Sequence, residues 1–291
     1  MFSATYKATL KNLVRAALLW VMALLVIGVV IERTSSANYG AVIVENNQIV
    51  AEYTDLDPEF EFNFHGYVQA LRNNFAGLSI YAMPLFAVIS VMLVLTRDYK
   101  DNFFEIDKAG GVRSSTYFFG RLAAILTVNI AVGLVINLFY NHLYCITRDI
   151  MGDLDMSLWS YISETTVRVL RLYFLGMLPG VLFYIGLTYM AGSLLKSGFL
   201  GSLIGSSWFL FLYAVTKNNI SVKLTKTYQF LDPHAHEFYA YWGYYDTEWF
   251  NDKALRNPWS TEELILHTAI IAGVGIIGFA VSYICIRRRK I

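Results

Sequence analysis

Charge is the first thing this sequence has little of. Only 15% of its 291 residues are Asp, Glu, Lys or Arg, against about a quarter in an ordinary soluble domain. With 56% apolar residues and a mean hydropathy of +0.46, a water-soluble fold would leave much apolar surface uncovered. The net charge of +1 excludes both the basic footprint of a nucleic-acid binder and an acidic solvating tail. Cysteine is scarce as well: two residues are too few for a disulfide framework. Cys145 and Cys285 fall near opposite ends of their apolar stretches, with about 30 Å of hydrocarbon expected between them, so a bridge between them is not expected. No P-loop, no G-x-K-[ST] ending and no nucleophile elbow occurs. The chain is therefore expected neither to hydrolyse ATP itself nor to be an enzyme.

What it has instead is long apolar runs. Six stand out, at 16–31, 78–96, 122–146, 172–195, 199–216 and 266–286, most of them near the ~20 residues that cross a bilayer as a helix. The expected fold is all-α, a single transmembrane domain over 1–291 with six transmembrane helices. A signal-peptide reading of the first run, with Lys7, Lys11 and Arg15 before it and Ser35-Ser36-Ala37 after it, is weakened by an apolar core longer than most.

The basic residues set the orientation, because Lys and Arg close to short loops stay cytoplasmic. With the first end inside, segments 1–15, 97–121, 196–198 and 287–291 hold 13 Lys and Arg in 48 residues, against 10 in 120 for the outer segments 32–77, 147–171 and 217–265. Acids run the other way, 4 inside and 18 outside. Both termini are thus expected in the cytoplasm of a multi-pass protein of the cell membrane, a bacterial plasma membrane fitting best.

Several motifs invite chemistry that their context denies. Gly273-Val274-Gly275-Ile276-Ile277-Gly278 is a literal G-x-G-x-x-G, yet it lies inside an apolar run rather than between a strand and a soluble helix. Small residues that let helices approach closely are the better reading, and Gly201 and Gly205 receive the same one. His234, His236, Asp232 and Glu237 offer metal-ligand chemistry at a generic spacing, and no metal site is expected. In the third run Asn129, Asn137 and Asn141 fall within about a third of the helix circumference. Such groups either line a translocation path or hydrogen-bond between helices. Pro84 and Pro179 lie inside runs, where kinks are expected.

Outside the spans the pattern is more telling. Phe2, Tyr6 and Leu10 recur every four residues beside Lys7 and Lys11, the signature of an N-terminal helix lying in the membrane interface. In segment 97–121, Asp98 is placed to cap a helix whose Tyr99, Phe103 and Ile106 share a face; Gly110-Gly111 ends it and Ser114 caps the next. That aromatic face needs a partner groove or the lipid headgroups. Alternation in Ala41-Val42-Ile43-Val44 and Ile49-Val50 around Asn46-Asn47 suggests a small hairpin. The crowd of aromatics from Phe238 to Phe250 suits a loop that dips back to the bilayer.

This arrangement resembles the ABC-2-type transporter permeases, the membrane subunits of a large class of ABC exporters. The topology is similar along the whole chain. At residue level the similarity is carried by Asp98-Tyr99-Lys100-Asp101-Asn102-Phe103-Phe104-Glu105-Ile106 through Gly111-Val112-Arg113-Ser114-Ser115 to Gly120-Arg121, close to a cytoplasmic stretch that in the family commonly ends in Gly-Lys. The resemblance implies two permease subunits, identical or homologous, with two ABC ATPase subunits that bind the ATP, so the permease itself needs no cofactor. Tyr99, Phe103, Phe104, Glu105 and Ile106 become the coupling contacts to the ATPase. The 46-residue first outer segment departs from the commonest form and leaves the cargo open. A carrier or channel acting without an ATPase is the rival, favoured by any charge buried in a span. An intramembrane enzyme is disfavoured, since His267 stands where Glu262-Glu263 would need an arginine.

Overall fold

The structure, a computed structural model, describes residues 1–36, 42–45, 48–52, 82–147, 166, 170, 173–217 and 261–289. Its helices are α1 (Phe2–Arg15), α2 (Ala17–Ser36), α3 (Met83–Lys100), α4 (Phe103–Ala109), α5 (Ser114–Thr147), α6 (Leu178–Leu195), α7 (Gly198–Lys217) and α8 (Thr261–Arg288). All but α1 and the seven-residue α4 coincide in position with the six apolar runs. Three are long and apolar enough to cross a membrane, over Ser114–Val135, Leu178–Leu195 and Ile265–Arg288, and a fourth joins them if the bent pair Phe2–Arg15 and Ala17–Leu25 is one span. The described bundle is helical, as expected, and the expected hairpin is present too. Strands β1 (Val42–Glu45) and β2 (Gln48–Glu52) pair antiparallel on either side of positions 46 and 47, with an irregularity between Ile43 and Val44.

Helix α6 is the centre of the bundle and packs against α3, α7 and α8. Its Tyr184, Ile185 and Tyr189 are fully buried, and its close neighbours approach through glycine. A methyl group on Gly275 would stand 2.6 Å from the Leu182 carbonyl oxygen, and one on Gly201 would stand 2.7 Å from the Gly192 Cα. Backbones this close gain dispersion contacts that larger side chains would forbid. The helix-packing reading of both glycine motifs therefore holds at Gly275, Gly278, Gly201 and Gly205, while Gly273 faces open space.

The turn from α6 to α7 is tight and built locally. Lys196 ends α6 with φ 51, and the Ser197 N–H returns to the Gly192 carbonyl at 3.0 Å. Ser197 then caps α7, its hydroxyl accepting the Leu200 N–H at 3.2 Å. Both prolines stand in the first turn of their helices, each after π-type backbone, Ala82 before Pro84 and Tyr173–Met177 before Pro179. Pro179 thus lies within a continuous helical stretch, π-type and then α, and Pro84 likewise follows helical backbone at Ala82, both inside the apolar runs where the sequence places them.

Helix α1 lies across α5 and bends 65° from α2 at Ala16. Its deepest residues are Thr5, Thr9 and Leu13, flanked by half-buried Tyr6 and Leu10, whereas Phe2 is exposed. The packing face is thus rotated by one residue from the Phe2, Tyr6, Leu10 line, because Gly120 of α5 admits Thr5 to within 3.1 Å of where a Cβ would sit. The Tyr6 hydroxyl donates to Thr127 Oγ1 at 3.2 Å.

Candidate functional site

The most elaborate polar assembly among the described residues lies where α3 ends, α4 turns and α5 begins. Helix α3 runs past its apolar stretch to Lys100, so Asp98 does not cap a new helix but sits inside the old one, 3% exposed. The break comes later, at Asn102, which adopts φ 52, a left-handed conformation that asparagine tolerates better than most residues. Helix α4 follows at once, and Gly111 at φ 81 turns the chain into α5. Ser114 is the first helical residue of α5 rather than its cap.

Two arginines hold α4 against the bundle. Arg121, two turns into α5 and 6% exposed, reaches Asp98 at 2.5 Å and Asp107 of α4 at 3.7 Å, with its guanidinium 4.2 Å from the centre of the Tyr117 ring. Arg289, just beyond α8, pairs with Glu105 and lies 4.9 Å from the Tyr99 ring and 5.1 Å from that of Phe104. Its carbonyl accepts a hydrogen bond from Lys108 Nζ at 2.9 Å. Phe104 is buried under α4 and meets Tyr117 edge-on, ring centres 5.1 Å apart. One short helix is thereby tied to α3, α5 and the end of α8.

Burial pushes the Asp98 carboxyl up to about 6, against Arg121 and Tyr117, which draw it down; Asp107 adds to the rise and Arg289 opposes it. Burial also raises Tyr99 above its ordinary range, with Ser193 and Arg289 acting the other way. Asp98 is thus a carboxylate whose charge costs desolvation and is offset in part, chiefly by the Arg121 guanidinium.

The five expected coupling residues divide. Tyr99 is half-buried on α3, Phe104 is buried, and Glu105 is engaged by Arg289. Phe103 and Ile106 face outward, 36% and 61% exposed. The shared Tyr99, Phe103, Ile106 face is corrected, since the break at Asn102 puts Tyr99 on a different helix. The apolar run at 122–146 also understates its helix: α5 starts at Ser114, so Arg121 belongs to a membrane-length helix and is buried with Asp98. Nothing in the apolar periodicity marks that pair. The signal was the opposite charges standing just beyond the facing ends of two successive runs, Asp98 after 78–96 and Arg121 before 122–146. Arg289, used only to orient the chain, was missed as a clamp.

Asn129 is fully buried in α5, and its Nδ2 donates to Ser90 Oγ of α3 and to the Ile125 carbonyl, each at 2.9 Å. Ser90 Oγ donates in turn to Ala87 O at 2.7 Å. This is a hydrogen bond between helices. Asn137 and Asn141 lie farther along α5, their side chains outside the described residues, as are the His234 to Glu237 cluster and the aromatic loop from Phe238 to Phe250. Among the described residues no group of three or more His, Cys, Asp or Glu is placed to hold a metal, and Cys285 is a free thiol. No family model matches the chain, and neither a curated protein nor a solved structure matches it.

Proposed function

We propose that this chain is the permease subunit of an ATP-driven exporter of the ABC-2 type. In this reading six spans cross the cell membrane, both termini lie in the cytoplasm, and a second permease subunit completes the translocation path. The chain forms that path, with Asn137 and Asn141 beside it while Asn129 ties α5 to α3, and carries no catalytic residue; ATP is bound by a separate cytoplasmic ATPase. The observation that supports it most is α4. It is clamped from within by Phe104, Arg121 and Arg289, yet it offers Phe103 and Ile106 outward. A lever has this form: fixed to several spans on one side and open to a partner on the other. Each large apolar side chain it buries in a partner contributes about 1.5–3 kcal/mol, enough for two to hold a docking contact.

The test is co-purification of an ATPase with the tagged full-length chain, and substrate-dependent ATP hydrolysis, in wild type and Phe103→Asp at equal membrane abundance. Phe103→Asp should weaken both strongly, since it puts a charge into an apolar groove. Unchanged binding and coupling would remove α4 from the coupling role.

The buried Asp98–Arg121 pair favours a second reading, a carrier that works without an ATPase, because buried ionisable groups in membrane helices mark ion pathways. Transport into ATP-free vesicles, abolished by a protonophore, would select it.

A further inference from the structure

Lys7, Lys11 and Arg15 of α1 are all exposed. At 100° per residue, successive members of this i, i+4, i+8 series are offset by about 40°. The three therefore share one flank of α1, opposite the buried Thr5, Thr9 and Leu13. Nothing acidic competes with them in the neighbouring chain, for the first acid in the sequence is Glu32. Helix α2 sets the depth of this flank in the bilayer. Beyond the 65° bend at Ala16, it exposes Leu18, Trp20, Val21, Leu24 and Leu25, an apolar surface suited to hydrocarbon. Trp20 is 56% exposed and its indole N–H donates to the Val14 carbonyl at 2.6 Å, tying the last turn of α1 to the first of α2. An exposed tryptophan at the start of an apolar helix marks the boundary between headgroups and acyl chains.

From this placement we infer that the Lys7, Lys11, Arg15 flank of α1 is a binding surface for anionic phospholipid headgroups of the surrounding bilayer. The inner face of α1 is occupied by α5, so its outer face is the one that meets lipid. Three cations with no acid among the first 31 residues complement phosphate diesters and select against zwitterionic headgroups. The inference is independent of whether an ATPase drives the protein.

The full-length chain is purified in neutral detergent and mixed with equal amounts of phosphatidylglycerol and phosphatidylcholine, and bound lipid is counted by native mass spectrometry. Each basic side chain near an anionic surface strengthens binding about fivefold, so wild type should favour phosphatidylglycerol by about tenfold or more. Lys7→Gln/Lys11→Gln/Arg15→Gln should bring the ratio near one. Lys7→Arg/Lys11→Arg, which keeps the charge, should preserve it. So should Lys100→Gln/Arg113→Gln/Lys196→Gln, which removes three exposed cations elsewhere. Raising ammonium acetate from about 50 mM to about 500 mM should collapse the wild-type preference, an arm that needs no variant to fold. The inference is overturned if the glutamine variant keeps the wild-type ratio, if the control variant loses it equally, or if the preference is insensitive to salt. Displacement of phosphatidylglycerol by equimolar free glycerol phosphate would also overturn it, because the site would then take a soluble anion rather than a bilayer lipid.

Discussion

At the scale of single residues the decisive group is Asp98. Its carboxyl is raised to about 6 from 3.8, with burial as the largest cause. A folded state that holds the proton more tightly than the unfolded chain is favoured by protonation, increasingly as pH falls from the folded pKa to the unfolded one. The stability this contributes is full below about pH 4 and is lost as pH rises through about 6. Thermal midpoints of the detergent-solubilised protein should therefore fall across that window in wild type, and Asp98→Asn should flatten the dependence there. An unchanged slope in Asp98→Asn would assign it to other groups. Arg121→Gln should be the worse substitution at neutral pH, destabilising by about 3–5 kcal/mol because it leaves a buried carboxylate without its counter-ion. Asp98→Asn combined with Arg121→Gln should recover part of that loss. Phe104 and Phe103, adjacent in sequence, should separate just as cleanly. Phe104→Ala empties a buried site and should cost about 3–5 kcal/mol, read as a drop in thermal midpoint, while Phe103→Ala should leave the midpoint nearly unchanged.

Among the elements, α6 carries the bundle, and glycine decides how closely its neighbours can approach. Gly275→Ala would drive a methyl into the Leu182 carbonyl, whereas Gly273→Ala meets nothing within 4 Å. The first should destabilise by about 1–3 kcal/mol through overpacking. The second should be neutral or stabilise by up to about 1 kcal/mol through helix propensity. Thermal unfolding of the two variants checks both, and equal behaviour would mean that the α6 to α8 contact is not backbone-close. Helix α4 is the other element of consequence. Seven residues are too few to form a stable helix in isolation, so its shape comes from Phe104 and from the two arginines that brace it. The left-handed Asn102 and Gly111 at its ends let it turn away from α3 and hand the chain to α5.

For the whole molecule, the contact between Arg289 and Glu105 brings the end of α8 to the segment joining α3 and α5. The approach of Thr5 to Gly120 brings α1 to the start of α5. These meetings put both helical ends on the same side of the bundle as the segment joining α3 and α5; that this side is the cytoplasmic one is the expectation drawn from the basic residues. Reporter fusions active only outside the cytoplasm should work after Asp55 and Tyr241 and be silent after Lys108 and Lys196. Activity at Lys108 would overturn that topology, and with it the exposure of α4 to a cytoplasmic ATPase.

Local sequence was enough to locate the apolar helices, because hydrophobic length is a local property and the cost of bare backbone in lipid leaves helix as the answer for each run. It was enough for the hairpin around Asn46-Asn47, whose alternation is equally local, and it marked α1 and α4 as elements apart from the spans. Which faces meet was settled by tertiary packing alone. Periodicity could not show that α3 continues through Asp98, since a charge at the edge of an apolar run reads as an ending unless Arg121 from another helix is present to balance it. Nor could it divide Phe103 from Phe104, because on a two-turn helix the buried side is chosen by Tyr117 and Arg289, which are distant in sequence and adjacent only in space.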